Sequence, residues 1–232
     1  MDSSLMIETK KLTKTFMNGT VATQILKGID FTAKKGEFIA IMGRSGAGKS
    51  TFMYQMSLLD EPTSGEIHIA MAGNVADMSS EAKTDFRLTK LGYVFQDYAL
   101  IPELSALENV VLPLLMQQIP QAEAYKKAEE ALSRVGMSQH IHQLPSQLSG
   151  GEQQRVSISR AIAHTPAILF ADEPTANLDN ESSHIVMDIF KQLHRQGQTI
   201  IMVTHEEEFG RMAEKIVRLD DGKIISIVEN KK

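Results

Sequence analysis

One stretch limits what this chain can fold into more than any other. Gly43-Arg44-Ser45-Gly46-Ala47-Gly48-Lys49-Ser50 spells G-x-x-x-x-G-K-[ST] and follows the apolar run Phe38-Ile39-Ala40-Ile41-Met42. A short apolar run bounded by glycine reads as a buried strand, and the residues from Thr51 onward read as a helix. Glycines let successive backbone amides curl around one anion, and the helix N-terminus adds positive potential at the same place. Lys49 then reaches the terminal phosphates of a nucleotide, and the Ser50 hydroxyl suits Mg²⁺. At ordinary glycine usage a random chain of this length matches the pattern about one time in a hundred, so chance is a poor explanation. A strand that delivers such a loop to a helix commits the chain to an α/β fold.

The rest of the chain agrees with that class. Leu91-Gly92-Tyr93-Val94-Phe95, Ile168-Leu169-Phe170-Ala171 and Thr199-Ile200-Ile201-Met202-Val203 read as further buried, largely parallel strands. Ile185, Ile189 and Leu193 recur at helical spacing before the last of these, and Gly197 ends that helix. The first 35 residues and Glu66–Ala70 read as antiparallel strands, and Asp221-Gly222 reads as a two-residue hairpin turn. Between about 100 and 147 the pattern is helical, most clearly over Ala122–Val135. The expectation is one domain, 1–232, with a mainly parallel core sheet, an antiparallel β subdomain and a helical insertion at about 97–160.

Composition removes several functions. Hydrophobic residues make up 42% and charged ones 23%, ordinary values for a globular chain. Lys and Arg number 24 against 29 Asp and Glu, a net charge of -5, which argues against a general nucleic-acid binder. There is no cysteine, so a disulfide scaffold, a thiolate metal site and a cysteine nucleophile are excluded. The longest apolar candidate, Val110–Met116, contains Pro113 and falls far short of the ~20 residues that cross a bilayer. Met1-Asp2-Ser3-Ser4 is not the start of a signal peptide. The expectation is a protein that does not insert directly in the membrane and works there only through another.

Two more stretches carry chemistry. Ile168–Ala171 runs into Asp172-Glu173-Pro174, and a carboxylate at the end of a parallel strand is what Mg²⁺-nucleotide needs beside a phosphate loop. Asp172 fits that role, and Glu173 fits the acceptance of a proton from an attacking water. Leu148-Ser149-Gly150-Gly151-Glu152-Gln153-Gln154-Arg155 reads first as a helix start, with Ser149 as N-cap and Glu152 completing a capping box. That leaves two glycines in the first turn, each costing up to ~1 kcal/mol of helix propensity. Bare amides at that terminus suit a second anion.

Residues 148–155 resemble the signature motif of the ABC (ATP-binding cassette) ATPases, and the likeness covers roughly 5–228. By that resemblance Gly43, Arg44, Ser45, Gly46, Ala47, Gly48, Lys49, Ser50 and Thr51 form the Walker A loop that binds ATP. Ser50, Gln96 and Asp172 then serve Mg²⁺, and Glu173, Gln96 and His205 serve hydrolysis. Gln96 is similar to the Q-loop glutamine, Asn177-Leu178-Asp179 to the D-loop, and His205 to the switch histidine. Phe16 occupies the place of the adenine-stacking aromatic, most often Tyr in the family; a buried strand Phe is the alternative there. The resemblance also implies a head-to-tail homodimer formed with ATP, in which Ser149, Gly150, Gly151 and Asp179 reach the partner's nucleotide.

Ser105–Leu114, Asp60–Gly65 and Ala171–Thr175 resemble the branch that holds the lipoprotein-releasing LolD ATPases and the ATPase half of the macrolide exporters MacB. That implies separate transmembrane permease subunits, a place on the cytoplasmic face of the inner membrane, and export or release of lipoproteins, peptides or hydrophobic compounds. Cell-division and antimicrobial-peptide-resistance members of the group look alike at this level, and a soluble non-transport ABC ATPase is the wider alternative. A GTPase is excluded, because the guanine-reading Asn-Lys-x-Asp is absent.

Overall fold

The computed structural model describes residues 4–230. They pack as two compact units, 4–84 with 196–230 and 85–195, where the sequence pattern has one domain with an insertion at about 97–160.

In the first unit β1 (Leu5–Asn18) and β2 (Val21–Lys34) form a long antiparallel hairpin, with Lys14 opposite Leu26 and Phe16 opposite Thr23. β3 (Phe38–Met42) is buried along its whole length, and α1 (Lys49–Met56) follows the glycine loop. β4 (Ser64–Ile69) pairs with β1, and β5 (Gly73–Asn74) completes a sheet of order β2-β1-β4-β5. α2 (Ser80–Lys90) runs from the first unit into the second at residue 85 and buries only Phe86, which is why no apolar stripe announces it in the sequence.

The second unit holds β6 (Leu91–Val94), α3 (Ala106–Met116), α4 (Gln121–Arg134), α5 (Gly150–Ile162), β7 (Ile168–Asp172) and α6 (Asn180–Arg195). β6 and β7 run parallel, with Val94 opposite Ala171. α3, α4 and α5 pack on one another and bury Val110, Leu114, Ala128, Leu132, Val156 and Ile158. The helical pattern expected across 100–147 is realised only in α3 and α4, because Gly136 stops α4 and the chain to Pro145 is irregular.

α6 departs from expectation in its face. Ile185 is 42% exposed, whereas Val186, Ile189, Phe190 and Leu193 are buried. Those four stand at i, i+3, i+4 and i+7, and they form a full stripe that the 185–189–193 row crosses only at its edge. Each buried side chain contributes about 1.5–3 kcal/mol, so the fuller stripe decides the rotation of the helix.

The first unit then closes with β8 (Thr199–Val203), α7 (Glu207–Gly210), β9 (Lys215–Asp220) and β10 (Lys223–Glu229). Its strands run in the order β10-β9-β3-β8; β3 is parallel to both neighbours and β10 is antiparallel to β9. Asp221 and Gly222 have φ of 44° and 72°, the left-handed pair that a two-residue hairpin requires. No described helix is long and apolar enough to cross a membrane.

Candidate nucleotide site

β3 and β8 pair with Ile41 opposite Val203, so Gly43 and His205, each two residues on, leave the sheet side by side. The Thr204 amide donates to the Ile41 carbonyl at 3.2 Å and carries the ladder one step past β8. Beyond β3 the loop turns through Gly48, whose φ of 94° opens α1. A side chain there would meet Leu26 of β2 at 3.1 Å, so only glycine suits both the backbone and the space. Lys49 is 6% exposed and its Nζ donates across the loop to the Arg44 carbonyl at 3.2 Å. Arg44, Ser45 and Gly46 are exposed, Ala47 is buried, and Ser50 and Thr51 sit half-buried in the first turn of α1. Phe16 stands at the open end of β1, 47% exposed, which rules out the buried-strand alternative.

The second unit gathers its own set. Asp172 ends β7 and is buried, and Glu173 follows with a left-handed φ of 44°. A non-glycine residue held there costs of order 1–3 kcal/mol, a strain that clusters at functional positions. Because Val94 lies opposite Ala171, Gln96 and Glu173 leave adjacent parallel strands at matching steps. The Asn177 side-chain amide donates to the Gln96 carbonyl at 3.1 Å, and the Tyr98 hydroxyl donates to the Asn177 carbonyl at 3.4 Å. Asp179 accepts from the Ser182 amide and hydroxyl, both at 2.8 Å, and these bonds hold its carboxyl below the usual range.

The capping box is present as expected. Ser149 Oγ accepts from the Glu152 amide at 3.3 Å, while the Ser149 amide and hydroxyl both donate to Glu152 at 2.8 Å. These bonds hold the Glu152 carboxyl below its usual range.

Sequence reasoning missed three residues in this unit. Arg160 of α5 donates to the Tyr98 and Ala99 carbonyls at 2.9 and 2.5 Å, and those two residues have left-handed φ of 60° and 50°. Gln154 is fully buried and donates to the Pro174 carbonyl at 2.9 Å. Tyr98 bridges the Gln96 and Asn177 stretches, and only its aromatic ring beside the predicted strand end hinted at it.

The two glycines of 148–155 acquire a steric reason within the chain. A Cβ at Gly150 would lie 2.8 Å from the Tyr98 hydroxyl oxygen, and one at Gly151 would lie 2.7 and 2.8 Å from the Ser182 side chain. Ser182 is tied to Asp179 at the start of α6, so it yields less readily than a tyrosine tip. Crowding of that kind costs typically 1–3 kcal/mol, more than the ~1 kcal/mol of helix propensity alanine would add. Gly151→Ala will therefore lower the urea midpoint without nucleotide. Gly150→Ala will do so less, and Tyr98→Phe in the same chain will relieve it. If both glycine variants are as stable as the parent without ligand, the steric reason is wrong.

Among the described residues no group of three or more His, Asp or Glu is spaced to hold a metal by itself. Taken one by one, the Ser50 hydroxyl, the Gln96 amide oxygen and the Asp172 carboxylate are hard oxygen donors of the kind Mg²⁺ takes.

Residues 26–176 match the sequence pattern of the ABC transporter family. The chain is 47% identical to the lipoprotein-releasing system ATP-binding protein LolD of Aquifex aeolicus over 87% of this chain and 90% of that protein. It is 42% identical to the macrolide export ATP-binding/permease protein MacB of Bdellovibrio bacteriovorus, over 95% of this chain but 34% of that protein. A solved dimeric structure of the ATP-binding cassette MJ0796, in a post-hydrolysis state bound to ADP and Pi, superposes with a TM-score of 0.90. That match has 38% identity and covers 98% of this chain and 100% of the cassette.

Proposed function

Because this chain belongs to the ABC transporter family, as an ATP-binding and ATP-hydrolysing cassette, we propose that it powers a membrane complex of the lipoprotein-releasing type. Two copies associate head to tail around two Mg-ATP. Residues 43–51 of one copy hold the phosphates, and Ser149, Gly150, Gly151 and Asp179 of the other close over them. Separate transmembrane permease subunits receive the motion on the cytoplasmic face of the inner membrane, and lipoproteins, peptides or hydrophobic compounds are released or exported.

The observation that carries this reading is the near end-to-end likeness to a LolD protein, combined with one phosphate loop and one capped Ser149–Gly151 turn per chain. Each copy has half of what a nucleotide needs on two sides, and a two-fold interface completes both halves at once. Mg²⁺ supplies charge neutralisation of the phosphates when bound, and the oxygens of Ser50, Gln96 and Asp172 are the groups that would hold it. Lys49 balances the terminal phosphate charge. Glu173 takes the proton of the attacking water as its oxygen bonds to the γ-phosphorus and ADP departs. His205 stands at the strand end beside the loop to sense the γ-phosphate. Phe16 stacks on the base.

Across residues 97–116 the apolar side chains divide between the core and the surface. Leu107, Val110 and Leu114 are core residues and Leu100 and Leu104 are half-buried, whereas Ile101, Leu112, Leu115 and Met116 are exposed. The exposed set is where a permease helix docks in this reading. A Leu112→Asp, Leu115→Asp chain, co-expressed with its cognate permease, will fail to co-purify with it, while the isolated subunit keeps its basal Mg²⁺-dependent ATPase. Undiminished recovery of the permease with that chain sinks the docking assignment. An isolated wild-type subunit whose phosphate release from ATP is unchanged by EDTA sinks the Mg²⁺ assignment.

A further inference from the structure

Lys14 lies on β1, two residues before Phe16, and it is unusually well held for a lysine on a hairpin. Its side chain is 12% exposed, and its Nζ donates to Asp60 Oδ1 at 2.6 Å and to the Glu61 carbonyl at 2.7 Å. The same Nζ stands 4.9 Å from the centroid of the Phe16 ring. Asp60 is fixed in turn, because its Oδ2 accepts from Gln55 Nε2 at 2.8 Å and its Oδ1 from the Glu61 amide at 2.8 Å. Gln55 is fully buried in α1, the helix that Lys49 and Ser50 begin. The strand partner of Lys14 is Leu26, the residue a side chain at Gly48 would strike. A chain of hydrogen bonds thus runs from the phosphate-loop helix through Gln55 and Asp60 to the ammonium that faces Phe16.

A lysine loses rotamer entropy when it is fixed, and here two oxygen acceptors offset that loss. The exposed ring beside it is the opposite case, since a half-exposed phenyl at a strand end has little of its own to orient it. We propose that Lys14 is a positioning residue for the nucleotide base: pinned by Asp60 and Glu61, it holds the Phe16 ring in a stacking orientation and so links base recognition to the phosphate-loop helix. The cation draws on the electron density of the ring face it meets, which strengthens stacking of an electron-rich purine on the ring. This deepens the reading of Phe16 as the base-stacking residue and rests on it.

The test is a double-mutant cycle on the full chain with Lys14→Met, Phe16→Ala and both together. ATP affinity is measured by calorimetry, with inorganic tripolyphosphate as a probe that has no base. Lys14→Met will weaken ATP about two- to fivefold, the scale of one cation–ring contact, and leave tripolyphosphate binding unchanged. The loss will appear in KM and not in kcat. Lys14→Arg will restore the parent affinity. In the Phe16→Ala chain, Lys14→Met will have no further effect. If Phe16→Ala weakens ATP but Lys14→Met is silent, or its loss persists without the ring, the inference falls and the role of Phe16 stands. If Lys14→Met weakens tripolyphosphate equally, Lys14 acts through the loop and the inference also falls. If Phe16→Ala leaves ATP affinity unchanged, the stacking assignment fails and takes the inference with it.

Discussion

Lys49→Ala will abolish measurable ATP binding while the protein stays folded. Lys49 is 6% exposed, and its Nζ donates to the neutral Arg44 carbonyl at 3.2 Å across the loop it serves. A buried ammonium at the start of a helix is poorly screened by water, so toward a bound triphosphate its charge would count for more than that of a surface lysine. Leaving a desolvated charge without its partner costs about 3–5 kcal/mol, which is two to three orders of magnitude or more in Kd. The loop is also held by bonds in which that cation takes no part. Gly222 donates to the Ala47 carbonyl at 3.1 Å, and Phe52 donates to the Gly48 carbonyl at 2.8 Å, and neither bond involves the Lys49 side chain. Calorimetric titration with Mg-ATP, beside a urea unfolding curve, separates binding from folding. An unchanged Kd in a folded Lys49→Ala chain removes the nucleotide site from residues 43–51.

What could be read without coordinates follows the distance over which the chemistry is written. The phosphate loop is contiguous with its strand and helix, so its residues, its glycines and its neighbours all appear in one window. The strand ends at Asp172 and His205 are legible for the same reason, because buried parallel strands are continuous apolar runs that stop at the ligand side. The rotation of α6 was less legible. Ile185 and Val186 are both apolar β-branched residues, and only the company of Phe190 decides which of them faces inward. The setting of Phe16 was open, since an aromatic in a strand is buried or exposed according to which sheet edge it meets. Least legible were the side-chain links that join distant stretches. Lys14 and Asp60 are 46 residues apart, and Arg160 and Tyr98 are 62 apart. No periodicity in the chain announces such pairs. The glycines at 150 and 151 show the same limit, because their sequence reading turned on an anion, whereas Tyr98 and Ser182 crowd both positions from within the chain.

Glu173→Gln will stop turnover and trap the association of two copies, and it tests chemistry and assembly in one protein. The substitution keeps the shape of the side chain and one acceptor oxygen, but a carboxamide cannot take the proton from the attacking water. Loss of one general-base interaction costs about 10²–10⁴ in rate. Binding will persist, because Lys49, Ser50 and the loop amides lie in the other compact unit and are untouched. Gln is the same size and shape as Glu and places the same demand on the left-handed backbone at 173, where φ is 44°. In the proposed shared site, removing a negative charge from beside the γ-phosphate also favours the closed pair electrostatically. The variant will therefore elute as a dimer in ATP and as a monomer in ADP, whereas the parent returns to monomer as ATP is consumed. Adding Ser149→Arg will dissolve the trapped dimer. That change removes a hydroxyl that accepts from the Glu152 amide, a cap worth about 1 kcal/mol, and in the proposed pair it places a long side chain toward the partner's phosphate. Size-exclusion chromatography reads the assembly and phosphate release reads the chemistry. A Glu173→Gln chain that hydrolyses ATP at the parent rate shows that another group accepts the proton. One that is inactive yet monomeric in ATP leaves the base in place and overturns the shared site.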